Sequence, residues 1–523
     1  MSIKIEEINE EQWFKIPNHD ELRPFFMSIV SDSNHWLFIS SNGGVTAGRK
    51  NAEHALFPYY SDDKVTELAY NTGSKTIFQV EFEGKQESWE PFSKLSSRRF
   101  NLTRNLYKNR HGNKILFEEH NNDLNLTFWY EWCSSNLYGF VRNAAIINNG
   151  NQAQKITLLD GLQNVLPYGV DSDLQKRQSN LVDAYKRTEL VKESGVGIFA
   201  LSAIIVDRAE PSEALKANTV WSVGLNDATY LLSSFQLDNF RAGGDITQET
   251  DMKGEKGAYF ISKSVELAPR GKEDWTMVAN VNQTQVDVIR LSREIQTNPN
   301  LRQQVWDNVE EGTANLKALV GSSDGVELTC DGLRNTRHFA NTLFNIMRGG
   351  IIDYNYQIEK RDFSKYLENA NRRIFNRHQA FLDKLGETFV KDELTAAIKD
   401  IDDSDLIRLC EEYLPLRFSR RHGDPSRPWN KFSINTTSEV DGSKILDYEG
   451  NWRDIFQNWE ALVHSYPDFI EGMISKFLNA STFDGYNPYR VTKGGFDCEI
   501  SEPDDPWSYI GYWGDHQIIY LLK

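Results

Sequence analysis

Residues Tyr138–Leu162 read YGFVRNAAIINNGNQAQKITLLDGL. Two runs of β-branched and apolar residues flank an Asn-Asn-Gly triplet. That pattern is a strong turn signal, so the stretch predicts two strands joined as a hairpin. The same texture extends on both sides. Lys75–Gly84 (KTIFQVEFEG) and Leu124–Cys133 (LNLTFWYEWC) alternate apolar and polar residues, which is the period of a half-buried strand. Many short strands separated by Gly, Asn and Asp turns predict a large antiparallel sandwich filling residues 1–282.

The period changes near Val281. Gln283–Gln296 carries Val286, Ile289 and Ile295 at helical spacing, and Asn300–Gly321 carries Leu301, Val305 and Val309 on one stripe. Asn335–Gly350 ends in a Gly-Gly stop. These segments predict a helical linker over 283–350. Beyond it, Lys365–Leu385 and Glu393–Leu416 read as long amphipathic helices, and Asn451–Ser465 pairs with Phe469–Asn479 across Pro467. Serial helical hairpins with long aromatic loops predict an α/α toroid, or a solenoid, over 351–523, with a site at the loop end. The expected fold class is therefore multidomain β + α: an antiparallel β-supersandwich, a helical linker and an incomplete six-hairpin toroid.

Composition narrows the function. A chain of 523 residues exceeds one ordinary core. A net charge of −17 without a basic run argues against nucleic acid as a partner. The N-terminus is acidic and lacks an apolar h-region, and no run is long enough to span a membrane. The cytoplasm is the default expectation. Cys133, Cys330, Cys410 and Cys498 have no metal-binding spacing and read as reduced thiols. No metal or cofactor is expected. Aromatic residues make up 12% of the chain, which suits sugar stacking and all-β cores alike.

One stretch concentrates polar chemistry. In Asn451–Ala461 (NWRDIFQNWEA), Trp452, Phe456 and Trp459 fall near one helical face, whereas Arg453, Asp454 and Gln457 lie at the helix start, after a long loop. An Arg-Asp pair on a helix is usually a salt bridge, and an Asp in the first turn also serves the helix dipole. Placed on a loop-side rim beside aromatic rings, the same set suits sugar hydroxyls.

This stretch resembles the Arg-Asp-x-x-Gln motif of the inverting phosphorylases that include cellobiose, chitobiose and cyclic β-1,2-glucan phosphorylases. Ser508–Lys523 (SYIGYWGDHQIIYLLK) is similar to their later Asp-Asp-His-Leu-Trp helix. Ser41–Leu68 and Val265–Val281 resemble their sandwich strands. The resemblance implies that Arg453 and Asp454 hold hydroxyls of the sugar in the −1 subsite, supported by Gln457, with Asp515 and His516 on the next inward helix; Trp452 or Trp513 is expected nearby. It implies an oligosaccharide substrate, and inorganic phosphate as co-substrate for a phosphorylase. Asn458, Gly514 and Gln517 depart from the motifs.

The general acid of that family lies in an Asp-Trp-Asn-Asp-like segment expected downstream of Lys523. The chain is therefore read as a fragment, with Glu502, Asp504 and Asp505 as in-chain candidates for the acid. Arg420, Arg421, His422, Arg427 and Trp429 form a second constellation, suited to phosphate or sugar. A non-catalytic sugar-binding or scaffold protein of the same architecture is the alternative function, and a homodimer stays open.

Overall fold

The computed structural model describes residues 4–206, 213–420, 423–427, 432–498, 503, 512–513 and 517–523. The chain divides into two units: Met1–Asn315 with Asp424–Trp429, and Leu316–Gly423 with Asn430–Lys523. The fold class follows the sequence reading: antiparallel sheets first, helices after.

Among the described residues of the first unit, one sheet has eleven strands and a second has five, with a separate three-stranded sheet near the N-terminus. The two large sheets share a core. Phe128, Ile146 and Met277 of the larger meet Phe78, Ile156 and Leu158 of the smaller, all fully buried. Alternation along each strand sends the other residues outward. On the larger sheet the outward set includes Cys133, Val141, Trp221 and Val278, which pack against Leu301, Val305 and Val309 of the helix Leu301–Gly321. On the smaller sheet, Ile77, Leu159 and Phe260 pack against Leu237 and Phe240 of a short helix. The central strands of each sheet are thus buried on both faces, which is why they are so apolar.

The Asn-Asn-Gly stretch is not a hairpin. Gly139–Asn148 pairs with Leu126–Ser135 and Lys272–Thr284 in the larger sheet. Gln154–Val165 pairs with Gly257–Leu267 and Gly73–Phe82 in the smaller one. The connection is an arch that crosses from sheet to sheet. A type I′ hairpin turn needs positive φ at both central residues, and neither Asn149 nor Gly150 has it. Instead the Asn148 side chain ties the arch down, donating to the carbonyls of Gln152, Leu267 and Ala268 at 2.7, 3.2 and 3.1 Å.

The stripe on Gln285–Thr297 also differs from expectation. Thr284 and Asp287 form a capping box that sets the helix entry. Leu291 and Ile295 then face the sheet, whereas Val286 and Ile289 are exposed at 63% and 62%. Three apolar positions at helical spacing did not share one buried face.

In the second unit, Gly332–Gly349 packs against Trp452–Val463, and Ser404–Glu412 against Ile470–Ala480. Between the first two helices the chain makes a closed excursion. It leaves at Ile351–Ile352 and returns at Leu416–Arg417, and these two dipeptides pair antiparallel. Inside lie the helices Lys360–Ala370, Arg372–Arg377, Gln379–Lys384, Lys391–Ile398 and Ser404–Glu412. The long helices expected here are cut short because Asn371 and Asp403 cap new helices from extended backbone. The excursion has its own core, with Phe363, Leu367, Ile374, Leu394, Leu406 and Tyr413 among its members.

One buried carboxyl makes stability depend on pH. Glu131 points outward on Leu126–Ser135, on the same face as Cys133, and burial pushes its pKa up to about 7 despite the attraction of Lys114. This value lies above the ordinary 4.5 of an unfolded Glu. The group therefore stabilises the fold fully below that ordinary value, and the contribution is lost as pH rises towards 7. We predict that Glu131→Gln flattens the stability profile over this window by roughly 1–3 kcal/mol. Parallel wild-type and variant melting curves from pH 4.5 to 7.5 would contradict it.

Candidate functional site

The polar rim is built on a short ribbon. Glu449–Asn451 pairs with Arg490–Thr492, which pairs in turn with Gly495–Asp497. The helix Trp452–Val463 starts where the first strand ends, and the Trp452 amide donates to the Tyr489 carbonyl at 2.9 Å. Trp452, Ile455, Phe456, Trp459 and Leu462 form its buried face. Trp452 stacks on Phe477 at 4.9 Å, and Trp459 Nε1 donates to the Gly349 carbonyl at 2.8 Å. The tryptophans are therefore the anchors of the helix. Trp452, read as a sugar platform, is fully buried.

The opposite face carries the polar set. Arg453 and Gln457 are exposed and Asp454 is half-buried, all within the first two turns. Asn458 is buried, and its amide donates to the Asp454 carbonyl at 2.7 Å.

Beside this face runs a belt of charges. Glu449 accepts from Arg490 Nη1 at 2.8 Å and from Ser433 Oγ at 3.1 Å, and Arg490 Nε donates to Asp497 at 2.7 Å. Asp447 accepts from Asn435 at 2.9 Å. Burial raises the Asp447 pKa, and the Lys493 cation only partly offsets this. Sequence reasoning did not single out Asp447. Its signal was its place, seven residues before Asp454 in the same approach to the helix.

Lys493 ties the rim to the excursion. Its ammonium donates to both carboxylate oxygens of Asp362, at 2.7 and 2.6 Å, and to the Leu446 carbonyl at 2.9 Å. Asp362 also accepts from the buried Tyr413 hydroxyl at 2.6 Å.

The second motif segment returns to the same place. Tyr512–Trp513 pairs with Tyr486–Asn487, only two residues before the Tyr489 carbonyl that holds the Trp452 amide. The helix Gln517–Leu522 packs along Trp452–Val463, and Lys523 pairs with Glu460 at 3.3 Å. Asp515 and His516 lie outside the described residues, as do Glu502, Asp504 and Asp505.

The second constellation is described only in part. Arg420 belongs to the helical unit, its amide donating to the Met347 carbonyl at 2.6 Å. Arg427 is grouped with the sandwich unit, its amide closing a turn onto Asp424 at 2.8 Å. Arg421, His422 and Trp429 lie outside the described residues.

Residues 352–415 match the family described as glycoside hydrolase family 149 insertion domain 1. The match coincides with the closed excursion and its separate core. Through this segment the chain is similar to glycoside hydrolases, a carbohydrate-active class. No curated protein sequence matches the chain. Among solved structures, a bacterial glucoamylase complexed with acarbose aligns at 9% identity over 92% of this chain and 61% of its own, with a TM-score of 0.34. A protein assigned as a kojibiose phosphorylase from the human microbiome aligns at 9% identity over 90% of this chain and 50% of its own, with a TM-score of 0.31. The chain spans less than two thirds of the length of either structure.

The burial pattern separates the two roles within one helix. Trp452→Ala is predicted to cost about 3–5 kcal/mol of stability, whereas Asp454→Asn should leave the melting temperature within about 2 °C of wild type. Thermal unfolding of both variants checks this. A mild Trp452→Ala would show that the ring does not anchor the helix.

Proposed function

We propose that the first turns of the Trp452–Val463 helix form the −1 sugar subsite of a glycoside phosphorylase- or hydrolase-like protein acting on a β-linked gluco-oligosaccharide. The observation that carries this reading is the convergence of two motif segments about sixty residues apart in sequence. The Tyr512–Trp513 strand reaches the start of the helix through Tyr486–Tyr489. Sugar hydroxyls need donors and acceptors held rigidly. Arg453 supplies donors, Asp454 an acceptor and Gln457 both. The aromatic underside of the helix fixes their positions.

The proposed reaction is cleavage with inversion, by phosphorolysis or hydrolysis. An inverting enzyme needs a protonated group for the leaving oxygen and a nucleophile on the opposite face. Asp447, two residues before the ribbon strand Glu449–Asn451, is a carboxyl whose burial favours the protonated form. We assign it the proton-donor role. Inorganic phosphate is the nucleophile in a phosphorylase and water in a hydrolase.

One observation favours a binding-only alternative. Asn458 stands where the resembling motif has a second Asp, and it is buried and spends its amide on the helix backbone.

Calorimetric titration with cellobiose and laminaribiose, with and without phosphate, tests the assignment. Asp454→Asn should weaken binding about 10- to 100-fold, the worth of one hydrogen bond to a charged group. Asp447→Asn should keep binding and lose turnover. Equal sugar affinity in wild type and Asp454→Asn would end the subsite assignment. Turnover that survives Asp447→Asn would end the proton-donor role.

A further inference from the structure

The sandwich unit holds a cavity of about 430 Å³ that lies far in sequence from the rim. This volume is within the range of small-molecule sites. It opens between the outer face of the larger sheet and the helix Gln285–Thr297. Thr219 and Trp221 sit two residues apart on Lys216–Val223 and so point to the same side, where they line the floor. Asn280 is the cross-strand partner of Thr219. Tyr138 and Glu294 form one wall, with the tyrosine hydroxyl donating to the carboxylate at 3.4 Å. Arg49 closes another side.

Two features mark this as a binding site rather than a packing gap. Thr219 is 1% exposed, and its hydroxyl has no hydrogen-bond partner among the described residues. Such a group is costly to leave unmet. Arg49 is half-buried, and desolvation pulls its pKa down to about 10. Its guanidinium is held by oxygens of neutral residues: Nε by Asn34 at 2.7 Å, Nη2 by Asn136 at 3.1 Å, and Nη1 by the Asn136 carbonyl and Asn280 at 3.3 and 3.4 Å.

We infer that the cavity binds a neutral sugar ring. The arginine fork is already engaged, so it cannot grip a carboxylate or phosphate bidentately; it can donate singly to a hydroxyl. Glu294 repels an anion and accepts from a hydroxyl. Arg290 and Asp287 pair at 3.7 Å, so the lining carries no net charge. The half-buried Tyr138 ring offers apolar surface to the C–H face of a pyranose. The exposed Leu137, which also lines the cavity, extends that surface. This mixture of donors, acceptors and aromatic carbon without net charge matches a polyhydroxylated ring. The site is separate from the rim of the Trp452–Val463 helix, and the inference does not rest on that rim.

Titration of the full chain carrying Asp454→Asn, with glucose and maltose as probes, isolates the cavity from the rim. Saturable binding should persist in this background. Adding Thr219→Val, which is nearly isosteric, or Glu294→Ala, on a solvent-facing helix, should weaken it about tenfold without lowering the melting temperature. The inference is overturned if neither sugar binds in the Asp454→Asn background, or if both added substitutions leave the affinity unchanged. It is equally overturned if inorganic phosphate or glycine binds there in preference to the sugars. Failure of the rim assignment shows differently, as equal affinity of wild type and Asp454→Asn.

Discussion

One fully buried ion pair joins the two large sheets of the sandwich. Arg142 and Asp160 are both fully buried and meet through two bonds, Nη1 to Oδ2 at 2.7 Å and Nη2 to Oδ1 at 2.9 Å. Arg142 lies on the larger sheet and Asp160 on the smaller one. Trp275 Nε1 and Thr76 Oγ1 complete the carboxylate, each at 2.6 Å, and the guanidinium lies over the Tyr130 ring at 4.8 Å. Burying two charges is expensive, and removing one partner costs about 3–5 kcal/mol because the other is stranded. The pair is therefore a fixed point at which the two sheets meet. It joins Gly139–Asn148 and Gln154–Val165 across the core, on either side of the arch made by the Asn-Asn-Gly. The order of the sheets, the shared core and the outward faces that carry the helices are all compatible with this crossing.

The helical unit is organised by a different closure. The Ile351–Ile352 and Leu416–Arg417 ribbon brings the two ends of the excursion together, so a segment with its own core interrupts the chain without separating the helices on either side. Lys493 then joins Asp362 of the excursion to the Leu446 carbonyl near the rim. The polar face of Trp452–Val463 is thus supported by aromatic packing beneath, and the half-buried Lys493 ties the excursion to the chain just before the ribbon.

Much of this was legible in the sequence, and the exceptions share a cause. Period two identified the strands, but pairing is a non-local choice, and the Asn-Asn-Gly signal is local. Arg142 and Asp160, eighteen residues apart, meet across the two sheets, and no turn rule reads such a contact. Val286 and Ile289 matched a helical stripe, yet the capping box at Thr284 and Asp287 rotated Leu291 and Ile295 inward instead. The long helices expected over 365–416 broke at Asn371 and Asp403, residues that prefer caps to helix interiors. At the rim, the split between buried Trp452 and exposed Arg453 followed from the helical wheel. Asp447 was missed because its altered protonation comes from burial, which composition does not show. The cavity over Thr219 and Trp221 was invisible for a similar reason. Its lining comes from four segments of the chain that only the folded sheet assembles.

We propose that a β-linked sugar sits on the rim made by the ribbon and the first turns of the Trp452–Val463 helix. Hydrogen–deuterium exchange of the full chain, with and without saturating cellobiose, tests it most directly. The account predicts added protection in residues 448–457 and 486–492, where the backbone carries the subsite. Sugar binding that leaves these amides unchanged, with protection only elsewhere in the chain, would contradict it.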